Sequence, residues 1–248
     1  MLKRYVLVLL ALAASAVLVY AEERAEFHQS YPLTANGEVA VHNINGWIHV
    51  TAWDRNEVKV DAVKNGRSQQ DLDEAQIVVE ASAGSVQIRT KYPEHNHGNH
   101  SASVDYTITV PGGAALDPVE SVNGGVTIDG VTGKVRANSV NGNVEVQRAG
   151  GDVDASAVNG KVAASFDRMP SRHISLNTVN GGIQLGLPQN AGARLHASTV
   201  HGGISSDFDL PVRHVGFGPG SSLDTTIGDG GADVKLTTVN GGINLTRR

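Results

Sequence analysis

From about residue 114 onward, apolar and polar positions alternate in short bursts. Val126-Thr127-Ile128, Val144-Glu145-Val146, Ile183-Gln184-Leu185, Ile204-Ser205-Ser206 and Ile243-Asn244-Leu245 all show the pattern. Successive strand side chains point to opposite faces, so Val126 and Ile128 share one face and Thr127 takes the other. Each burst follows a β-branched residue, an asparagine and a glycine: Val122-Asn123-Gly124, Val140-Asn141-Gly142, Val179-Asn180-Gly181 and Val239-Asn240-Gly241. Val158-Asn159-Gly160 is a further copy, Val200-His201-Gly202 carries histidine in the asparagine place, and Ile44-Asn45-Gly46 is an outlying early copy. From Asn123 the motif recurs after 18, 18, 21, 21 and 39 residues, the last step reading as two periods with one degenerate copy between. A weaker half-repeat lies midway, at Gly133-Lys134-Val135-Arg136-Ala137 and Gly151-Asp152-Val153-Asp154-Ala155.

The unit is therefore turn, strand, turn, strand, and two architectures fit. Asn-Gly between alternating strands is a hairpin signal and would give an antiparallel meander. A solenoid instead makes each unit one coil. The solenoid is favoured, because identical residues recurring at one period stack valine on valine and asparagine on asparagine. The predicted fold is all-β: a β-solenoid, β-helix-like, of 18–21-residue coils with an N-terminal β region. Asn123, Asn141, Asn159, Asn180 and Asn240 are expected to form a ladder of side-chain amides. Gly124, Gly142, Gly160, Gly181 and Gly241 are expected to supply positive φ or close backbone approach, and the asparagines to tolerate the left-handed region. The odd step from Ile128 to Val131 predicts a corner.

Residues 22–113 are less regular. Strands are predicted at 38–41, 47–51, 58–63, 75–81, 86–90 and 104–110, with one helical turn at 69–74. Pro111-Gly112-Gly113 breaks the pattern. The expected organisation is an N-terminal β region, 22–113, that caps or extends a Val-Asn-Gly repeat region, 114–248. Residues 208–226 interrupt the repeats, with a glycine-rich loop at 216–220.

Residues 1–21 read as a secretory signal peptide: Lys3 and Arg4, then an apolar stretch from Tyr5 to Val19, then Val19-Tyr20-Ala21 before Glu22. That stretch is shorter than the roughly 20 residues a membrane span needs, so no stable span is expected after cleavage. Export places the mature chain in a periplasm, outside the cell or on its surface. Losing Lys3 and Arg4 leaves 18 basic against 25 acidic residues and moves the net charge from −5 to −7, which argues against nucleic acid as a partner. The chain has no cysteine, so disulfides do not hold it together. Aromatics at 4% and 29 glycines suit a thin core with tight turns.

Few residues suggest chemistry. His95, His97 and His100 lie within six positions beside Glu94, and imidazole is the commonest ligand for zinc, copper and nickel. The bland reading is a solvated polar loop. A polysaccharide-cleaving β-helix would need converging carboxylates. Asp129, Glu145, Asp152 and Asp154 do not recur at the coil period, and a solvated outer face explains them. No strand–turn–helix nucleophile elbow occurs, and Gly228-Asp229-Gly230-Gly231 lacks the lysine of a phosphate loop.

The chain resembles the DUF4097 family, bacterial β-strand-repeat proteins often labelled candidate adhesins. The residues that carry the resemblance begin with the run from Trp53 to Val60, WDRNEVKV, and Val110-Pro111-Gly112-Gly113. SVNGGVTIDGVTGKV from Ser121 follows, then Ile227-Gly228-Asp229-Gly230-Gly231 and Thr238-Val239-Asn240-Gly241-Gly242-Ile243. His201 departs from the usual asparagine. The resemblance implies an extracytoplasmic β-repeat fold and a surface or envelope role. It brings no catalytic residues. The favoured function is thus an exported, non-catalytic interaction protein without cofactor, whose partner is a cell-envelope component or another protein. The alternatives are a periplasmic metal-binding protein using His95–His100 and a carbohydrate-active β-helix enzyme.

Overall fold

The computed structural model describes residues 23–93, 102–170, 172–214 and 220–248. The first strands are β1 (Glu23–Pro32), β2 (Glu38–Asn45), β3 (Ile48–Trp53) and β4 (Glu57–Gly66), followed by helix α1 (Gln69–Glu74). Then come β5 (Gln76–Ala81), β6 (Ser85–Lys91), β7 (Ser103–Pro111), β8 (Ala115–Asn123), β9 (Val126–Asp129), β10 (Val135–Asn141) and β11 (Val144–Ala149). Next are β12 (Val153–Asn159), β13 (Val162–Phe166), β14 (His173–Asn180), β15 (Ile183–Leu187), β16 (Ala193–His201) and β17 (Ile204–Ser206). The chain closes with β18 (Arg213–His214), β19 (Ser221–Ile227), β20 (Ala232–Asn240) and β21 (Ile243–Arg247).

These strands form two sheets. One runs β1-β4-β7-β3-β9-β11-β13-β15-β21-β17, the other β18-β19-β16-β20-β14-β12-β10-β8-β2-β6-β5. Each coil lays one strand in each sheet, so β8 turns at Val122-Asn123-Gly124 and continues as β9. Neighbouring coils pair in parallel and in register, Val126 with Val144, Val144 with Val162 and Val162 with Ile183. The all-β solenoid is therefore the fold. Antiparallel strands flank the parallel stack: β4 and β1 in one sheet, β5 at one end of the other, and β19 and β18 at its far end.

Like residues stack inward. Leu116, Val135, Val153, Ile174, Val234 and Leu195 make one buried row. Val126, Val144, Val162, Ile183 and Ile243 make another across the core. Alanines at 137, 155 and 164 keep the middle of the core thin. Helix α1 occupies the predicted turn; Ser68 caps it by accepting from the Asp71 amide, and Leu72 is buried beneath it.

The order of the coils differs from the order of the sequence. The 39-residue step hides no degenerate coil. The chain leaves the stack after β17, returns through antiparallel β19, and inserts its last coil, β20–β21, between β14–β15 and β16–β17. The early copy behaves alike: β2–β3 lies between β6 with β7 and β8 with β9, so Asn45 sits directly against Asn123. The pattern reading also missed β1, whose polar sequence ERAEFHQSYP shows little alternation.

Candidate functional site

The Val-Asn-Gly corner is where sequence becomes surface. Asn123 Nδ2 donates to Asn45 Oδ1, Asn141 to Asn123, Asn159 to Asn141 and Asn180 to Asn159, each at 2.9 Å, and Asn240 donates to Asn180 at 2.8 Å. His201 lies in register with Asn240 at the end of this row. The asparagines do not take left-handed backbone: among the described residues Arg148, at φ 49°, is the one non-glycine with positive φ. Nor do the repeat glycines; Gly46 alone among the motif glycines has positive φ, +112°. Glycine is required by close approach instead, because a Cβ on Gly124, Gly142, Gly160, Gly181 or Gly241 would overlap the carbonyl of the glycine in the adjoining coil.

Asn159 both donates to Asn141 and accepts from Asn180. Asn159→Leu breaks both bonds, each worth about 0.5–1.5 kcal/mol. It is expected to lower stability by about 1–2 kcal/mol, while the surface change Glu145→Gln stays within about 0.5 kcal/mol. Thermal melts of the two variants check this; equal midpoints would contradict it.

A second row went unread in the sequence. The residue two places before the asparagine, or before His201, is Ser121, Ser139, Thr178, Thr238 or Thr199, all buried. Each hydroxyl donates to the first-glycine carbonyl of the neighbouring coil, at 2.8–3.1 Å. The signal was present as a recurring Ser or Thr at one offset. Ala157 holds this place in its coil and carries no hydroxyl. Ala157→Ser supplies one within reach of the Gly142 carbonyl and is expected to raise stability by about 1 kcal/mol, a melting shift of about 2–4 °C.

The valines of the motif face outward. Val122, Val140, Val158, Val179 and Val239 are 37–42% exposed and Val200 is 55% exposed. With Ile44 they form a row across seven coils, about 29 Å long at the usual strand spacing. Beside its first half runs a linked polar row. His42 Nδ1 lies 3.1 Å from Glu120 Oε2, Asn138 donates to Glu120 Oε1 at 3.0 Å, and Ser156 donates to Asn138 Oδ1 at 2.7 Å. Between the rows lies a groove of about 490 Å³, with Arg89 and Lys91 at its β6 end. At that end Asn43 is buried, its amide donating to the Val104 carbonyl at 2.8 Å and its oxygen accepting from Thr90, which meets Tyr106 Oη at 2.7 Å. Burial pushes the Tyr106 phenol well above its ordinary range and Tyr92 up to about 12.

The carboxylates do not converge. Asp129 and Glu145 belong to one sheet, while Asp152 and Asp154 lie at the other. Arg148 forks onto Asp129 at 2.8 and 2.6 Å and holds that carboxyl below its usual range. Asp152 accepts from the His173 amide. Among the described residues no three His, Asp or Glu side chains gather as metal ligands, and no helix is long and apolar enough to cross a membrane. His95, His97 and His100 lie outside the described residues, as do residues 1–21.

The family model described as Toastrack DUF4097 matches residues 32–246. The chain belongs to the DUF4097 family. Solved structures similar to this DUF4097 chain include a candidate cell adhesion protein from Clostridium sporogenes, 12% identical, covering 91% of this chain and 100% of that one with TM-score 0.49. A candidate adhesin from Bacteroides fragilis is 10% identical, covering 90% and 97% with TM-score 0.35. A candidate lipid-binding protein from Parabacteroides distasonis is 12% identical, covering 89% and 96% with TM-score 0.33. At these identities the neighbours' names bring no ligand to this chain. No curated protein matches the sequence.

Proposed function

We propose that this DUF4097 chain is an exported, non-catalytic interaction protein of the cell envelope, and that the valine-edged groove is its contact surface. The observation that carries the reading is the row from Ile44 through Val122 and Val140 to Val200: side chains about 40% exposed or more over most of its length, repeated at one spacing and backed by polar groups already bonded to one another. A soluble chain gains nothing by holding apolar side chains in an unbroken line in water, and such patches mark interaction sites. The fold does not require the valines, since their side chains lie outside the core. The partner is another protein or an envelope component. The signal-peptide pattern of residues 1–21 supports a meeting outside the cytoplasm.

The test uses residues 22–248 as bait for solubilised envelope proteins, peptidoglycan and surface polysaccharide from the source organism. Saturable retention of one fraction is expected. Val140→Asp with Val158→Asp should abolish retention and leave the melting temperature within about 2 °C, because exposed substitutions cost little. Retention that survives both aspartates, or no retention at all, would overturn the reading.

A further inference from the structure

On the β-sheet side of the same corner, the residue after the first motif glycine varies from coil to coil. In stack order it is Trp47, Gly125, Asn143, Lys161, Gly182, Gly242 and Gly203. The station therefore accepts large side chains. Gly125 is bare because the Trp47 ring lies over it. The last three glycines have no comparable reason. A Cβ on Gly203 would meet nothing within 4 Å; one on Gly242 would meet only the Gly203 carbonyl at 3.4 Å, and one on Gly182 only the Gly242 carbonyl at 3.2 Å. None of the three has positive φ. Conformation explains none of the three glycines, and crowding is absent at Gly203 and slight at Gly242 and Gly182; their effect is to leave a trough.

The trough has a volume of about 420 Å³ and runs along the stack for about 10 Å between the outer glycines at the usual strand spacing. Lys161 closes one end, and the other opens at β17, the last strand of its sheet. The floor is glycine backbone with half-buried Ile204; Ile183 and Ile243 contribute backbone there, their side chains being buried in the core. Along one wall stand Gln184, Asn244 and Ser205 in register. Ser205 donates to Asn244 Oδ1 at 3.1 Å. Among the described residues the Gln184 amide, the Asn244 NH₂ and the Lys161 ammonium have no partner.

We infer that this trough binds a neutral polysaccharide segment of about two sugar rings, a site separate from the valine groove and independent of that groove's being occupied. A pyranose ring has a C–H face and a rim of hydroxyls. The flat floor of glycine backbone, with Ile204 at its open end, suits the face, and a free amide both donates to and accepts from neighbouring hydroxyls. Concave sites that combine an apolar surface with a few placed polar groups are the usual form of a small-ligand site. The wall side chains Gln184, Asn244 and Ser205 are uncharged and the Lys161 ammonium is confined to one end, so a neutral polymer fits the length of the trough. An added peptide strand fits poorly, because the floor's backbone is already used: Ile183 N–H donates to Gly242 O and Ile243 N–H to Gly203 O, both at 2.9 Å.

The experiment is calorimetric titration of the purified protein with chitohexaose and with cellohexaose, both neutral and extended. Saturable binding of at least one is expected. Gly203→Lys places a side chain in open space, so the melting temperature should hold while binding weakens at least about tenfold. The pair Gln184→Ala and Asn244→Ala should weaken it similarly. Val140→Asp should leave it unchanged, which separates this site from the groove. No saturable heat with either sugar at millimolar concentration, or binding that ignores Gly203→Lys, would overturn the inference.

Discussion

Gly160→Ala is expected to destabilise the protein by about 3 kcal/mol or more, lowering its melting temperature by about 6–12 °C, whereas Gly203→Ala should be nearly silent. Both changes add one methyl group to a motif glycine with ordinary negative or extended backbone. The difference lies in what the methyl meets. At Gly160 it overlaps the Gly142 carbonyl carbon and oxygen and crowds the Asn143 nitrogen; at Gly203 it meets open space. Backbone cannot swing aside as a side-chain tip can. Relief at Gly160 requires two coils to part, and parting them loosens the Asn141–Asn159 bond and the stacked valines below. Thermal melts of both variants decide the matter, and similar midpoints would show that coil spacing is softer than the geometry implies.

Removing residues 232–248 is expected to abolish cooperative folding. In a solenoid built in sequence order, trimming the last coil shortens the rod and leaves the rest packed. Here the last coil lies one place inside the stack, so its loss leaves β14–β15 and β16–β17 without their shared neighbour. Val234, Leu236, Ile243 and Leu245 are fully buried or nearly so. At about 1.5–3 kcal/mol each they contribute about 6–12 kcal/mol, comparable to the whole net stability of about 5–15 kcal/mol for a typical domain. The loss also removes the Asn240–Asn180 and Thr238–Gly181 bonds. Circular dichroism melts and limited proteolysis check the outcome. A truncated chain that still melts cooperatively within about 5 °C of the full one would show that β16–β17 can close the gap.

The repeat was legible because its rules are local. Alternation marks strands, and a recurring Val-Asn-Gly marks a corner that every coil must turn in the same way. Helix α1 was legible as one turn at 69–74, while its Ser68 cap and the burial of Leu72 emerged with the structure. Coil order was not legible. Identical periods say that any coil can sit on any other, so nothing near Asn240 states that its neighbours are Asn180 and His201 rather than His201 alone. Of the two reasons read for the repeat glycines, close backbone approach holds and positive φ does not, because coil spacing rather than turn conformation sets the demand. The outward valines were in view throughout, but their exposure depends on which face each strand buries beyond the corner. The trough followed only once Lys161, Gly182, Gly242 and Gly203 were known to be adjacent in space, since the chain separates the last two by 39 residues.

The inserted last coil also bears on mechanical load. A pull applied through β21 acts on a strand paired along its length with β15 and over Ile243–Leu245 with β17. Over Ile243–Leu245 force along that strand must shear hydrogen bonds on both flanks together rather than peel them from a free edge. An end strand such as β17 would carry such a load on one flank only. By tucking β20–β21 inward, the chain grips from two flanks the strand through which such tension would pass.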